Sequence, residues 1–347
     1  MLSADVVRRI ASCVDQPTRV ACCLATKAMH AALMHPVAWR RAVVYRLDEH
    51  AERFLCVARP RVLHIVCDDV RAVERFLESL IARGMRDVVT VLRLSLGRAT
   101  MPRACTLMDC VSDFTALVDL SIECEDLPCA ACLAFPTTCA GLQSLQSLAI
   151  TEHVSDAAVH VSDAASAPPA RKLEVYVGDA RLPELAEVSL RVATSDIMAQ
   201  AWRLPALRVL SYWCDAETYE DARLDGARLS LVSVNVPTQH ALEWLMAAVG
   251  MARHVDTLML RCYDDCEVTT YVPVVNLHVK LFQRATEVCV LHPVVRCLES
   301  VTIEHACPAS QEWTARFVSV GSWHNFQHWA QRTDLRVGHN GSVMIHV

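Results

Sequence analysis

Leu117-Val118-Asp119-Leu120-Ser121-Ile122 and Leu145-Gln146-Ser147-Leu148-Ala149-Ile150 follow one pattern: an apolar residue, two others, an apolar residue, one other, an apolar residue. The closing alternation is that of a strand with one buried face, because successive side chains of a strand point to opposite sides. Outward from these two copies the pattern recurs as Val91-Leu94-Leu96 on one side and Leu185-Val188-Leu190 on the other. It continues through Leu207-Leu210-Tyr212, Leu229-Val232-Val234, Val255-Leu258-Leu260, Ala285-Val288-Val290 and Leu298-Val301-Ile303. From residue 94 to residue 288 the middle positions are separated by 26, 28, 40, 22, 22, 26 and 30 residues. A recurring unit of that length holds one strand and a return arm.

Two stretches show what fills the arm. Arg61–Cys67 reads as a strand, and Asp69–Arg83 as a helix with Val70, Val73, Phe76, Leu77, Leu80 and Ile81 on one side, closed by Gly84 before the strand Val88–Leu96. The same design returns as strand Leu229–Val236, a Thr238 cap, a helix through Leu242, Leu245, Met246 and Val249, and strand Val255–Cys262. Units of this kind placed side by side build a parallel-stranded solenoid, and the period resembles that of leucine-rich repeats, roughly 20–29 residues. A doubly wound sheet is the competitor. It normally brings a glycine-rich phosphate turn, and this chain has only 9 Gly and no Gly-x-Gly-x-x-Gly.

The repeats are degenerate. Glu125, His153, Ala193, Asp215 and Tyr263 stand at or near the place where such repeats carry Asn, and the 13-residue step from Val288 to Val301 is too short for a full unit. His153–Val159 is followed by the near-copy His160–Ser166 and by Pro168-Pro169, so residues 152–172 read as an inserted loop.

At 347 residues with 53 % hydrophobic and 21 % charged composition, the chain is built to bury a core. A formal charge of -6 argues against a nucleic-acid binder, and the restriction of Lys to positions 27, 172 and 280 among 33 basic residues reads as a GC-rich coding sequence and not as a binding need. No apolar run reaches membrane-spanning length, and Asp5, Arg8 and Arg9 occupy the place of a signal peptide's apolar stretch, so a soluble intracellular protein is expected. Its 17 cysteines, odd in number and scattered through apolar runs, read as reduced core thiols.

Residues 1–45 differ in texture and read as three short helices. Apolar residues fall at Val6, Val7, Ile10 and Val14 and again at Val20, Cys23 and Leu24, with Ser3 as a cap and breaks at Gln16-Pro17-Thr18 and Met34-His35-Pro36. The run Leu2–Asp15 and the ending His35-Pro36-Val37-Ala38-Trp39-Arg40-Arg41 resemble the two ends of an F-box, with Ser3 where that family usually has Pro. The resemblance implies an α/β protein made of a three-helix F-box-like module (1–45) and an irregular leucine-rich-repeat-like solenoid (55–347). It implies docking on the Skp adaptor of a cullin ubiquitin ligase, with Leu2, Val6, Ile10, Val14 and Leu24 as aliphatic contacts and Trp39 as the aromatic closure. The solenoid would then hold a target protein. The arginine bias and the repeat decay resemble F-box proteins of giant DNA viruses, which implies a place in the cytoplasm or nucleus of a host cell. The other reading of the same helices is an end cap for a non-enzymatic repeat scaffold without a ligase link.

No hydrolase elbow, phosphate loop or kinase set is present, and no enzymatic role or cofactor is expected. Cys124, Cys129 and Cys132 have a Cys-x4-Cys-x2-Cys spacing with Cys139 beyond, but Ala130, Ala131, Leu133, Ala134 and Phe135 around them read as an apolar helix with core thiols, so no metal is expected. Cys262 and Cys266 beside Asp264 and Asp265 are a weaker set. His324 and His328 have helical ligand spacing without the glutamate a metalloprotease needs. Trp313, Trp323 and Trp329 read either as part of a carboxy-terminal lid or as anchors for the target. Along the strands, the positions between the apolar anchors mix Ser, Arg, Asp, Glu, Thr and Gln, with no dominant sign to define a target by charge.

Overall fold

The computed structural model describes residues 7, 16–25, 33, 35–97, 106–127, 130–137, 140–154, 171–214, 219–269, 274–282, 285, 287–292, 300–305, 314–319, 334–337 and 343–346. The chain divides into two units, Met1–Leu185 and Ala186–Val347.

In the first unit, helix α1 (Gln16–Ala25) and a 3-10 turn (Pro36–Trp39) precede strand β1 (Arg41–Val44), helix α2 (Glu49–Ala58) and strand β2 (Val62–Val66). Asp69 then starts helix α3 (Val70–Ala82), its carboxylate accepting from the backbone N–H groups of Arg71 at 3.0 Å and Ala72 at 3.2 Å. The helix stops because Gly84, at φ 80°, turns the chain out. The Gly84 N–H donates to the Ile81 carbonyl and the Met85 N–H to the Leu80 carbonyl, which satisfies the helix's last acceptors. Strands β3 (Val91–Leu96), β4 (Asp119–Glu125), β5 (Ala131–Ala134), β6 (Ser147–His153) and β7 (Leu173–Tyr176) follow, with helix α4 (Leu107–Ser112) between β3 and β4.

Strands β1, β2, β3, β4 and β6 pair in that order, all parallel. Each lies beside the strand before it, as in a solenoid and unlike the reversal of a doubly wound sheet. Their alternation is physical: Leu63, Ile65, Leu92, Leu94, Leu120, Ile122, Leu148 and Ile150 are at most 1 % exposed, and α3 adds Val73, Phe76, Leu77 and Leu80 to the core. Residues 131–134 are strand β5, paired parallel with β7, where the sequence suggested a helix. Alternation decides it: Ala131 and Leu133 face inward and Cys132 and Ala134 do not.

The second unit repeats the plan with strands β8 (Glu187–Val192), β9 (Thr194–Ser195), β10 (Val209–Cys214), β11 (Arg228–Val236), β12 (His254–Cys262), β13 (Cys266–Thr269), β14 (Val274–Leu281), β15 (Glu287–His292), β16 (Ser300–His305), β17 (Thr314–Ser319), β18 (Asp334–Val337) and β19 (Val343–His346). A short helix α5 (Ile197–Gln200) follows β9, and helix α6 (Gln239–Gly250) lies between β11 and β12 with Thr238 as its cap, Oγ1 accepting from the Ala241 N–H. Strands β8, β10, β11, β12, β14 and β16 form a parallel run, which β19 and then β18 continue antiparallel. Strands β13, β15 and β17 form a separate parallel sheet.

This corrects two expectations. Ala285-Val288-Val290 does not mark a strand of the main run: β15 belongs to the smaller sheet, and the main-run strand is β14, whose Val274, Leu277 and Val279 carry the same pattern. The short step from Val288 to Val301 joins strands of two different sheets, whereas β14 pairs directly with β16. The sheet also begins before residue 55, since β1 lies inside the span 1–45 expected to be helical, and α2 runs from between the two expected spans into the second. No helix among the described residues is long and apolar enough to cross a membrane.

Candidate functional site

The first candidate region is the amino-terminal segment. Trp39 is 1 % exposed. Its indole N–H donates to the Leu33 carbonyl at 2.5 Å, the Phe54 ring of α2 meets it edge-on at 4.7 Å, and the Arg19 guanidinium lies 4.9 Å from its centroid. Leu33, Ala38 and Ala58 complete the cluster, with Val7 packed against it. The expectation that Trp39 meets a partner is therefore corrected: an aromatic ring enclosed by its own chain has no surface left to offer. Leu2, Val6, Ile10 and Val14 lie outside the described residues, and so does the Leu24 side chain, although Leu24 itself falls within α1.

Helix α1 is fastened to the sheet in a second way. The Gln16 amide donates to the Val43 carbonyl and accepts from the Val43 N–H, both at 2.6 Å. Strand β1 begins the pairing order, so Gln16 occupies backbone groups of an edge strand that another chain would otherwise satisfy. Arg19 adds a bond from Nη1 to the Ala38 carbonyl at 2.7 Å.

The second candidate region is the sheet face opposite the core in the second unit. Register fixes its rows. Arg191 lies beside Trp213, Asn235 beside Arg261, Arg261 beside Lys280, and Lys280 beside Glu304. Tyr212 pairs with Val234, which brings Trp213 next to Asn235. The neighbouring row runs Ser189, Ser211, Ser233, Met259, His278 and Thr302. The Arg261 and Trp213 side chains meet above strand β11: the guanidinium carbon is 3.5 Å from the indole centroid, with Arg191 at 5.1 Å from the same ring. Beneath them Ser233 and Asn235 are 3 % and 7 % exposed, and Arg261 itself 7 %. Arg261 Nη2 donates to Ser233 Oγ at 2.6 Å, whereas Arg261 Nη1 and Asn235 Oδ1 have no hydrogen-bond partner.

Burial lowers the Arg261 pKa to about 10, opposed by nearby Tyr263 and Tyr219 and aided by the positive charge of Arg191. Among the described residues no carboxylate pairs with it. At the row's far end His278 Nε2 lies 3.4 Å from Glu304. Further along, Tyr263 and Phe282 stack at 5.3 Å with the Lys280 ammonium 5.6 Å from the Phe282 ring. The sequence hid this site because its residues come from separate repeats. Only the strand register shows that Arg191, Trp213, Arg261 and Lys280 share one row.

The first unit carries a smaller polar cluster on its own open face. His64 Nε2 and Ser95 Oγ are 2.8 Å apart, and the Ser95 hydroxyl donates to Glu123 at 3.4 Å. The carboxylate holds the hydroxyl and not the imidazole, so the order differs from a Ser-His-Asp relay, in which the acid orients the histidine. Burial lowers the His64 pKa, Glu123 raising and Arg93 lowering it.

Among the described residues no group of three His, Cys, Asp or Glu is placed to hold a metal ion. Cys124 is buried in β4 and Cys132 lies half-buried in β5, a strand of the other sheet, while Cys129 and Cys139 lie outside the described residues. Burial and the carboxylates of Glu78, Glu74 and Asp109 push the Cys110 thiol up to about 12. The hydrogen bond with Cys266, followed by burial, raises that of Cys262. Trp313, Trp323, Trp329, His324 and His328 lie outside the described residues. Searches against protein-family models and curated proteins find no match to this chain.

Proposed function

We propose that this chain is the substrate-recognition subunit of a Skp–cullin ubiquitin ligase, an F-box-like adaptor whose amino-terminal helices dock on the Skp subunit and whose repeat array holds a target protein. It supplies proximity and leaves the chemistry to its partners. Such a role places it in the cytoplasm or nucleus. The observation that carries the reading is the attachment of α1 to the sheet through Gln16 and Arg19. A recruiter acts through distance and orientation, so a docking helix is useful only if it is stiffly joined to the surface that binds the target.

The test is capture of the purified full chain on immobilised Skp adaptor. Ile10→Asp should abolish capture at an unchanged melting temperature, whereas Trp39→Ala should lower the melting temperature, because that ring is internal. An intact chain that fails to bind, or an Ile10→Asp variant that binds as well as the parent, refutes the proposal. A second reading then stands on the Gln16–Val43 pairing: the helices serve as an end cap of a repeat scaffold, closing an edge strand.

A further inference from the structure

We propose that the Arg261–Trp213 pair on the open sheet face of the second unit is the docking point for an acidic side chain of a protein partner, a carboxylate or a phosphoryl group presented by a peptide segment. The assignment stands whether or not the amino-terminal helices bind a Skp adaptor.

The argument starts from the cost of what is already there. An arginine that is 7 % exposed has given up most of its hydration, and buried charges ordinarily recover that loss through an ion pair. Arg261 has instead an indole face, one serine hydroxyl and one terminal nitrogen with no acceptor. The indole covers one side of the guanidinium and Nη1 is enclosed without an acceptor, so an oxyanion that draws alongside would satisfy a donor the fold leaves unmet. The neighbourhood favours an anion: Arg191 and Lys280 share the row with Arg261, three cations against the one carboxylate of Glu304 beside Lys280. An incoming anion therefore meets positive charge in a partly desolvated place, where the attraction is weakly screened.

A peptide fits better than a nucleic acid. The basic row is short and the chain carries a net charge of -6, whereas a polyphosphate backbone binds through many dispersed cations. The Trp213 ring and the stacked Tyr263–Phe282 pair supply apolar surface on either side of the cations, matching an acidic residue flanked by apolar ones.

Fluorescence anisotropy on the full chain tests this with three labelled peptides of one sequence, carrying glutamate, phosphoserine or glutamine at the central positions. The glutamate or the phosphoserine peptide should bind, more weakly as salt rises, and the glutamine peptide should not; the stronger of the two anionic peptides identifies the source of the oxyanion. Arg261→Met keeps the apolar stem and removes the fork, and should weaken binding roughly tenfold or more. Should that variant lose its fold, Lys280→Glu decides, because its half-buried side chain reverses the charge of the row without emptying the buried cluster. It should weaken the anionic peptides several-fold at an unchanged melting temperature. No binding of either anionic peptide, equal binding of the glutamine peptide, unchanged affinity in Lys280→Glu or in a folded Arg261→Met, or tighter binding of a single-stranded oligonucleotide overturns the proposal.

Discussion

Gly141 sits where the chain turns beneath helix α4, and a Cβ built there would stand 1.7 Å from the Ser112 carbonyl oxygen and 2.8 Å from its carbon. Both obstacles are backbone, so neither can swing away. Gly141→Ala should therefore cost about 3 kcal/mol by overpacking, read as a lower denaturant midpoint; an unchanged midpoint would mean the turn at Ala140–Ser144 does not depend on this close approach. A histidine gives the second prediction at this scale. With the His64 pKa lowered in the fold, the unfolded chain takes up the proton first as pH falls through about 6.5, its ordinary value. The stability contributed by neutral His64 is thus complete above that pH and lost below it. His64→Gln should flatten the acid limb of the melting-temperature profile between about pH 6.5 and 5, and an identical profile would remove His64 as its cause. Residues whose roles are local were legible in advance. Asp69, Gly84 and Thr238 act on backbone groups a few positions away, and their residue types announce it. Arg261 was not legible, because its serine lies 28 residues distant and its indole on a different strand.

Strands and helices depend on a few polar clamps that hydrophobic patterning does not reveal. Glu152, 2 % exposed, occupies an inward position of β6 where the pattern asks for an apolar residue. Its carboxylate accepts from the backbone N–H of Lys172 at 2.7 Å and of Leu173 at 2.8 Å, so the chain returning from the 152–172 insertion is pinned where β7 begins. Removing the acceptor strands two donors. Glu152→Ala should cost about 2–3 kcal/mol and Glu152→Gln less, since an amide oxygen still accepts; equal stability of the two variants would show that an acceptor oxygen at this position contributes nothing. Gln16 makes the matching contact at the first edge, and Gln16→Ala should leave Val43 open to a second molecule. Concentration-dependent association by light scattering is the expected sign, and a variant that stays monomeric at all concentrations would contradict it. The elements themselves were readable where periodicity was long, as in α3 and α6. Periodicity does not separate helix from strand over residues 131–134, where four small and apolar residues in a row fit either geometry.

At the scale of the molecule, recurrence of one strand pattern was enough to anticipate parallel strands laid down in chain order, because each copy must bury the same face against its neighbours. It was not enough to assign every copy to a sheet. Strand β15 carries the alternation as faithfully as β14 but serves the smaller sheet, since a return arm with a strand of its own also has one face to bury. The same limit applies to the amino terminus, where composition alone left a docking module and an end cap open, and where the contacts of Trp39 now show a structural share. Leu33, Arg19 and Gln16 reach Trp39, Ala38 and Val43 from residues 1–34, covering that ring and the β1 edge. A chain lacking residues 1–34 should therefore exchange the amide of Val43, which Gln16 otherwise holds, faster than the intact chain, bind a hydrophobic dye and melt several degrees lower, as expected when a buried aromatic loses its cover. If the amino-terminal helices were only a handle for another subunit, none of these would change while capture by the Skp adaptor was lost. Faster exchange confined to β1 and β2, together with loss of capture, is the result expected of a segment that seals the array on one side and recruits on the other.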